Sequence, residues 1–232
     1  MSTGTGMHGC HQDRKVRFIT FEGPEGSGKS TQAKRLVEHL KAAGCPTILV
    51  REPGGTQTGE AIRGILQHMR IEEPMFPETE VLLFAASRSQ LVRSIILPSL
   101  DQNKWVVCDR YADSTTAYQG YGRGLPIDKL QAVNEFAMKD VVPDLTILLD
   151  LDVDVGFQRI QKRVKETNGE LDRLERESRE FHQRIRRGYL ELARKHTDRF
   201  RVFDAARPED VVESDVWTLV HGLVVSAGSA RP

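Results

Sequence analysis

The feature that most constrains this chain is a glycine-rich segment at residues 23–30, which matches the pattern GxxxxGK[ST]. It lies between an apolar run at residues 16–21 and a helical pattern with Ala33, Leu36 and Leu40 on one face. A strand, a glycine-rich turn and a helix in this order form the context that a phosphate-binding loop requires. The loop residues are Gly23, Pro24, Glu25, Gly26, Ser27, Gly28, Lys29 and Ser30, with Thr31 at the start of the helix.

The residue types of this loop suit a nucleoside triphosphate. Glycines allow backbone N–H groups to surround an oxyanion, and the N-terminus of the following helix adds a favourable dipole. We expect Lys29 to reach the β- and γ-phosphates and the Ser30 hydroxyl to ligate Mg²⁺. The sequence therefore predicts a nucleoside triphosphate site, against the alternative of an ordinary glycine turn.

Charge and cysteine content narrow the class of protein. The 33 Lys and Arg balance the 33 Asp and Glu, which does not indicate the broad basic face of a duplex nucleic-acid binder. Three widely spaced cysteines, Cys10, Cys45 and Cys108, form no disulfide framework and favour a reducing compartment. No apolar run approaches the ~18 residues of a membrane span, and the N-terminus lacks the apolar run of a signal peptide. We expect a cytoplasmic protein with no membrane or nucleic-acid partner.

Hydrophobic periodicity predicts one doubly wound α/β domain at residues 16–225, between disordered tails at 1–15 and 226–232. Apolar runs predict five buried strands, at residues 16–21, 47–50, 105–108, 145–151 and 200–203. Helical patterns follow the first helix at residues 60–69, 78–97, 128–138, 153–164, 171–196 and 209–223. Because each right-handed crossover between parallel strands needs a helix, we expect a five-stranded parallel sheet with helices on both faces.

The remaining motifs separate the classes of protein that use such a loop. A GTPase switch would need a guanine-reading segment Asn-Lys-x-Asp, but Asn103 and Lys104 are followed by Trp105 and Val106. No motor-length insertion or second nucleotide domain is indicated, which favours a compact phosphotransferase. Two other readings stay open, a kinase for a different monophosphate or small metabolite and a nucleotide-binding module without transfer activity.

Five segments together resemble the bacterial thymidylate kinases. They read FEGPEG at 21–26, REPGGT at 51–56, LFAASR at 83–88, DRY at 109–111 and AYQG at 117–120. The resemblance extends over about residues 17–220. It implies a P-loop kinase that transfers the γ-phosphoryl group of ATP to dTMP with Mg²⁺, and a homodimer.

Two charged residues follow the third predicted strand at its carboxyl end, where open α/β sheets bind ligands. These are Asp109 and Arg110, and a guanidinium suits phosphate because two N–H groups can meet two oxygens. The resemblance implies that Arg110 holds the dTMP phosphate and that Asp109 serves Mg²⁺. A structural ion pair at the strand end is the alternative. The resemblance adds further residues on the acceptor side, namely Glu25, Arg51, Glu52 and Arg63.

A second set of residues is predicted to read the base. Phe84 and Arg88 are four residues apart on a predicted helix and therefore project from one face, although alone they would suit a core ring and a surface charge. The resemblance implies that Phe84 packs on thymine and that Arg88 bonds its carbonyl edge. It also places Thr115 and Gln119 at the base and Tyr118 near the sugar, where bulk disfavours a 2′-hydroxyl.

Residues 158–173 are predicted to form a lid. Arginines are frequent there, and a break at residues 167–169 separates two helical patterns. The resemblance implies that the lid supplies a catalytic charge, since the matching P-loop position is Gly26 and not arginine. Arg159, Arg163 and Arg173 are the alternatives for that residue, against a solvated charged helix. The predicted catalytic set is Lys29, Asp109, Arg110, Arg163 and Arg173.

Overall fold

The computed structural model describes residues 16–68 and 73–228 of the chain. It contains one five-stranded sheet in the order β2-β3-β1-β4-β5, in which all neighbouring strands are parallel. The strands are β1 (Phe18–Glu22), β2 (Thr47–Arg51), β3 (Trp105–Asp109), β4 (Leu145–Asp150) and β5 (Phe200–Asp204). The predicted doubly wound α/β fold is confirmed. The predicted tail at residues 1–15 and residues 229–232 of the second tail lie outside the described residues.

Helices connect the strands. They are α1 (Lys29–Ala42), α2 (Gln57–Arg63), α3 (Pro77–Leu91), α4 (Leu97–Asp101), α5 (Ala112–Thr115), α6 (Ile127–Met138), α7 (Val153–Thr167), α8 (Arg179–Lys195) and α9 (Glu209–Gly228). Three π-helical turns extend them, Gly64–His68 after α2, Val92–Ile96 between α3 and α4, and Thr116–Gly122 after α5. The last helix runs three residues into the segment predicted as the C-terminal tail.

The apolar core lies on both faces of the sheet. On one face, Phe21 of β1 packs with Leu36 and Leu40 of α1 and with Val216 of α9, all almost fully buried. On the other face, a separate cluster includes Leu91 at the end of α3. Every residue of β1 is buried, so the loop that follows β1 starts from the centre of the fold.

The prediction of five buried strands was wrong for the second and fifth strands. In β2 only Thr47 and Val50 are buried, and Leu49 is 39% exposed. Only Phe200 of β5 is buried, and Val202 is 50% exposed. The physical reason is position, because both are edge strands: β2 pairs only with β3, and β5 pairs only with β4. An apolar run of four residues cannot by itself distinguish an edge strand from a central one.

The predicted helix over residues 171–196 was wrong in its first part, since α8 begins at Arg179. Ser178 is its N-cap, and the hydroxyl accepts from the Phe181 N–H at 3.3 Å. Before this cap, Asp172 and Glu175 hold a turn, because each backbone N–H donates to the other's carboxylate, at 3.1 and 2.8 Å. These local hydrogen bonds compete with helix formation and leave an irregular segment between α7 and α8.

Together α3, the π-helical turn that follows it and α4 form one continuous helix, Pro77–Asp101. Among the described residues, this helix is long and apolar enough by length and composition to cross a membrane. Its 18-residue window has a mean hydropathy of 1.2. The same helix supplies Leu91, Val92 and Ile96 to the core, and it carries Arg88 at 1% exposure. Those contacts are the contacts of a core helix.

Candidate active site

The glycine-rich loop joins β1 to α1 and opens into a cavity of about 980 Å³. Gly26 has a φ of 74°, in the left-handed region that favours glycine. A Cβ on Gly26 would lie 2.6 Å from the carbonyl oxygen of Gly156 in α7. The loop therefore packs directly on the helix that begins the predicted lid, and an arginine at position 26 would not fit this packing.

Lys29 occupies the interior of the loop. Its Nζ donates to the Pro24 carbonyl oxygen at 2.7 Å and to the Ser27 hydroxyl at 3.2 Å. Burial, followed by the charge of Arg110, lowers the pKa of Lys29 to about 8. An anion in the loop would raise the pKa of Lys29 again and keep its ammonium group charged. The site therefore favours a phosphate group beside Lys29.

Ser30 and Asp109 meet across the loop, where the Ser30 hydroxyl donates to an Asp109 carboxylate oxygen. Both residues line the large cavity. A hydroxyl and a carboxylate are hard oxygen donors of the kind that Mg²⁺ takes beside nucleotide phosphates. Residues 16–68 and 73–228 contain no group of three His, Cys, Asp or Glu that could hold a metal by itself. The pair therefore fits Mg²⁺ carried in with a nucleotide.

Arg110 lines the large cavity and also a smaller one beside it. Its backbone has a φ of 69°, in the left-handed region, directly after β3. The guanidinium donates to Glu25 at 2.6 Å and to the Gly23 carbonyl oxygen at 3.2 Å, and the Tyr118 hydroxyl donates to Glu25 at 2.7 Å. Burial disfavours the Glu25 carboxylate, but the charges of Arg110 and Lys29 outweigh burial and lower the pKa of Glu25 to about 2.

Three residues behind Arg110 were not singled out from the sequence. Glu22, at the end of β1, accepts from the Tyr111 N–H at 2.8 Å, the Ser114 hydroxyl at 2.6 Å and the Tyr189 hydroxyl at 3.0 Å. Ser114 and Tyr189 also contact the Arg110 guanidinium, at 3.4 and 3.3 Å. The only sequence signals were a glutamate at the end of a mainly apolar strand and its place in the segment FEGPEG.

A second, smaller cavity adjoins the first, and Glu25 and Arg110 line both. Four of the predicted base and sugar residues line the small cavity, namely Phe84, Thr115, Tyr118 and Gln119. Leu174, from the segment between α7 and α8, also lines it. Its volume is about 30 Å³, which is room for only about two water molecules.

The structure places Arg88 behind this cavity and not on its wall. Its guanidinium, 1% exposed, donates to Glu52 at 2.8 Å, Asn134 at 2.7 Å and Thr115 at 3.0 Å. The predicted surface-facing alternative for Arg88 is therefore wrong, since the side chain is buried and paired. In this conformation Arg88 fixes Thr115, and Glu52 is its ion partner.

The two further predicted arginines line the large cavity. Arg51 pairs with Glu60 at 2.9 Å, and Arg63 donates to the Pro53 carbonyl oxygen at 3.1 Å. Burial, together with the charge of Arg51, lowers the pKa of Arg63. Two cations held close together on one wall suit an anionic ligand.

The three lid arginines are placed differently. Arg159 lies 3.4 Å from the Gly26 carbonyl oxygen, and Arg163 pairs with Glu175 at 2.7 Å, and both line the large cavity. Arg173 points elsewhere, to Glu80 in α3 at 2.6 Å. Arg173 is thus the one predicted catalytic residue that the structure does not bring to the phosphate-binding loop.

One cavity thus brings together the P-loop with its lysine, a Ser-Asp pair and several arginines. This arrangement defines a P-loop nucleotide kinase. The family model for thymidylate kinase matches residues 21–216. The chain is 48% identical over 202 residues to the thymidylate kinase of Pelotomaculum thermopropionicum, covering 87% of this chain and 91% of that protein. It is 46% identical over 207 residues to that of Carboxydothermus hydrogenoformans, covering 89% and 98%.

A crystal structure of thymidylate kinase from Ehrlichia chaffeensis has the same architecture, with a TM-score of 0.70 and 34% identity. The match covers 88% of this chain and 98% of that one. The chain belongs to the thymidylate kinase family. It is therefore a nucleoside monophosphate kinase, and the alternative of a binding module without transfer activity is set aside.

Proposed function

We propose that the protein transfers the γ-phosphoryl group of ATP to dTMP, giving ADP and dTDP for dTTP synthesis. The observation that carries the proposal is the junction of the two cavities. The large one contains the phosphate-binding loop, the small one is lined by Phe84 and Gln119, and Arg110 lines both. A monophosphate with its base in the small cavity would therefore place its phosphate beside Arg110, facing the γ-phosphate of ATP.

The roles of the residues follow from this arrangement. Phosphoryl transfer needs little covalent help, and the acceptor phosphate is itself the nucleophile. Lys29 neutralises charge on the β- and γ-phosphates, and Arg110 aligns the acceptor phosphate in line with them. Ser30 and Asp109 would hold Mg²⁺, which supplies a further positive charge to the phosphates.

The lid supplies the remaining charge. We assign this role to Arg159 and Arg163, because both line the cavity that contains the phosphate-binding loop. Arg173 is bound to Glu80 and the Leu66 carbonyl oxygen instead, and it holds the lid segment against α3. Closure over the nucleotides would exclude water and so suppress ATP hydrolysis.

The small cavity has to enlarge before a pyrimidine can enter, since it has room for only about two water molecules. Leu174 and Phe84 form part of its wall, and Leu174 belongs to the irregular segment between α7 and α8. We propose that this segment moves outward to admit dTMP and returns over it. Ordering of the acceptor site would then accompany lid closure.

We also propose a cytoplasmic homodimer. Leu82 of α3 and Phe136 of α6 are 61% and 82% exposed, and the two helices pack against each other. Large apolar side chains this exposed favour a partner surface. The two described cysteines, Cys45 and Cys108, are both free, in keeping with a reducing compartment.

The test is ADP formation from Mg-ATP with dTMP, dUMP, UMP, dCMP, dGMP and no acceptor in parallel. We expect activity chiefly with dTMP. Activity with a different monophosphate alone would retain the phosphoryl transfer and reject the thymine site. Lys29→Ala should strongly lower this ADP formation, because the phosphates lose their buried cation. Lys34→Ala is its matched control, because Lys34 is an exposed lysine of the same helix.

A further inference from the structure

Glu80 is a buried carboxylate outside the residues assigned to the reaction. It lies in the first turn of α3 with a side-chain exposure of 1%. Gln119 Nε2 donates to it at 2.8 Å, and the guanidinium groups of Arg123 and Arg173 lie 3.2 and 2.6 Å from it. One carboxylate thus joins a base-site residue to two cations from other elements.

The two arginines keep this carboxylate charged. Burial alone would favour the protonated acid, but the hydrogen bond from Arg123 and the charge of Arg173 outweigh burial and lower the pKa of Glu80. An ionised carboxylate accepts hydrogen bonds and donates none. Gln119 must therefore turn its NH₂ group, and not its carbonyl oxygen, towards Glu80.

With its NH₂ group bound to Glu80, the Gln119 amide has its oxygen available to a ligand in the base site. Gln119 lines the small cavity, and its Oε1 has no hydrogen-bond partner among residues 16–68 and 73–228. An oxygen there can accept from a ligand and cannot donate to it. The ring N3 of thymine carries a proton and donates, whereas N3 of cytosine is a bare acceptor.

We propose that Glu80 is a positioning residue that sets base specificity by fixing the orientation of the Gln119 amide. The carboxylate directs the amide oxygen into the cavity, so the site accepts a pyrimidine with a ring N–H and rejects cytosine. This inference rests on the proposed phosphorylation of dTMP and adds the residue that controls its selectivity. Rejection arises because a buried acceptor facing another acceptor leaves both unpaired.

The first test compares kcat/KM for dTMP and dCMP in the wild-type protein and in Glu80→Gln. A glutamine at position 80 can accept or donate, so the Gln119 amide is no longer held in one orientation. We expect the ratio of kcat/KM for dTMP to that for dCMP to fall about tenfold, as for loss of one hydrogen-bond preference. An equal loss on both substrates would show a merely structural role and overturn the proposal.

A second comparison, in a protein that carries Gln119→Met, tests whether Glu80 acts through Gln119. Gln119→Met removes the amide and keeps the length of the side chain. In that background we expect Glu80→Gln to leave the dTMP to dCMP ratio within about twofold. A change as large as in the wild-type background would mean that Glu80 acts through some other residue, and the proposal would fail.

A measurement on the wild-type protein covers the case in which Glu80→Gln does not fold. The side-chain amide protons of Gln119, assigned by comparison with Gln119→Met, should exchange slowly with solvent and stay protected when dTMP binds. Faster exchange of the Nε2 protons with solvent when dTMP binds would contradict the fixed orientation. A wild-type protein that does not phosphorylate dTMP at all would instead reject the proposed function.

Discussion

Glu22 gives a prediction whose size can be worked out from the structure. Burial, with a smaller contribution from the nearby Asp113 charge, raises the pKa of Glu22 from 4.5 to about 7 in the folded protein. The native state therefore binds this proton more tightly than the unfolded chain does. The stabilisation is fully present below pH 4.5 and is lost as the pH rises through 7.

The magnitude follows from the two pKa values. The difference between 4.5 and about 7, at about 1.4 kcal/mol per pH unit, is about 3 kcal/mol. Most of this stabilisation is lost as the pH rises from about 5 to about 8. Glu22→Gln removes the titration while keeping the shape, and its amide can accept from the Tyr111 N–H and donate to the hydroxyl of Ser114 or Tyr189.

The assay is urea unfolding of the wild-type protein and Glu22→Gln at pH 5 and pH 8. We expect the free energy of unfolding of the wild type, relative to the variant, to be about 2 kcal/mol lower at pH 8 than at pH 5. Glu38→Gln, on the exposed face of α1, controls for the replacement of a carboxylate by an amide. The reasoning would be refuted if the wild-type free energy of unfolding, relative to that of the variant, were the same or higher at pH 8 than at pH 5.

Three further substitutions separate the parts of the site. Lys29→Ala should lower kcat by at least about 100-fold, since the phosphates lose their buried cation, and near-normal turnover would contradict that role. Arg88→Ala should weaken use of dTMP, retain ATP binding and cost about 3–5 kcal/mol of stability on urea unfolding, because Glu52 is left buried without its partner. An equal loss of ATP binding would argue against an acceptor-side role. Gly156→Ala should raise the KM for ATP, because a Cβ there would lie 2.6 Å from the Glu25 carbonyl oxygen, whereas Gly222→Ala meets nothing within 4 Å and should not.

Much of the fold could be predicted because its signals are local. The five strands and most helices follow from runs and spacings of apolar residues within one element. The start of α8 could not be predicted this way, because the turn between Asp172 and Glu175 depends on two side chains that bond backbone groups in place of helix. The exposure of β5 could not be predicted from the sequence either, since it depends on which strands become neighbours in the sheet.

The candidate site divides in the same way. The phosphate-binding loop is one contiguous segment. Its sequence by itself therefore determined that a lysine and a neighbouring hydroxyl lie in one loop, and that the loop binds a nucleoside triphosphate. The tertiary structure decided where Arg88 and Arg173 point. Their carboxylate partners are Glu52, 36 residues from Arg88 in sequence, and Glu80.

The physical reason is that a buried charge must find a partner, and the fold determines which partners are near. Sequence spacing showed that Arg88 shares a helix face with Phe84. It could not show that the packing of α3 brings a glutamate to that arginine and removes it from the cavity wall. Local sequence thus determined the strand, loop and helix that bind phosphate, whereas long-range packing decided which charged side chains remain free to meet the substrate.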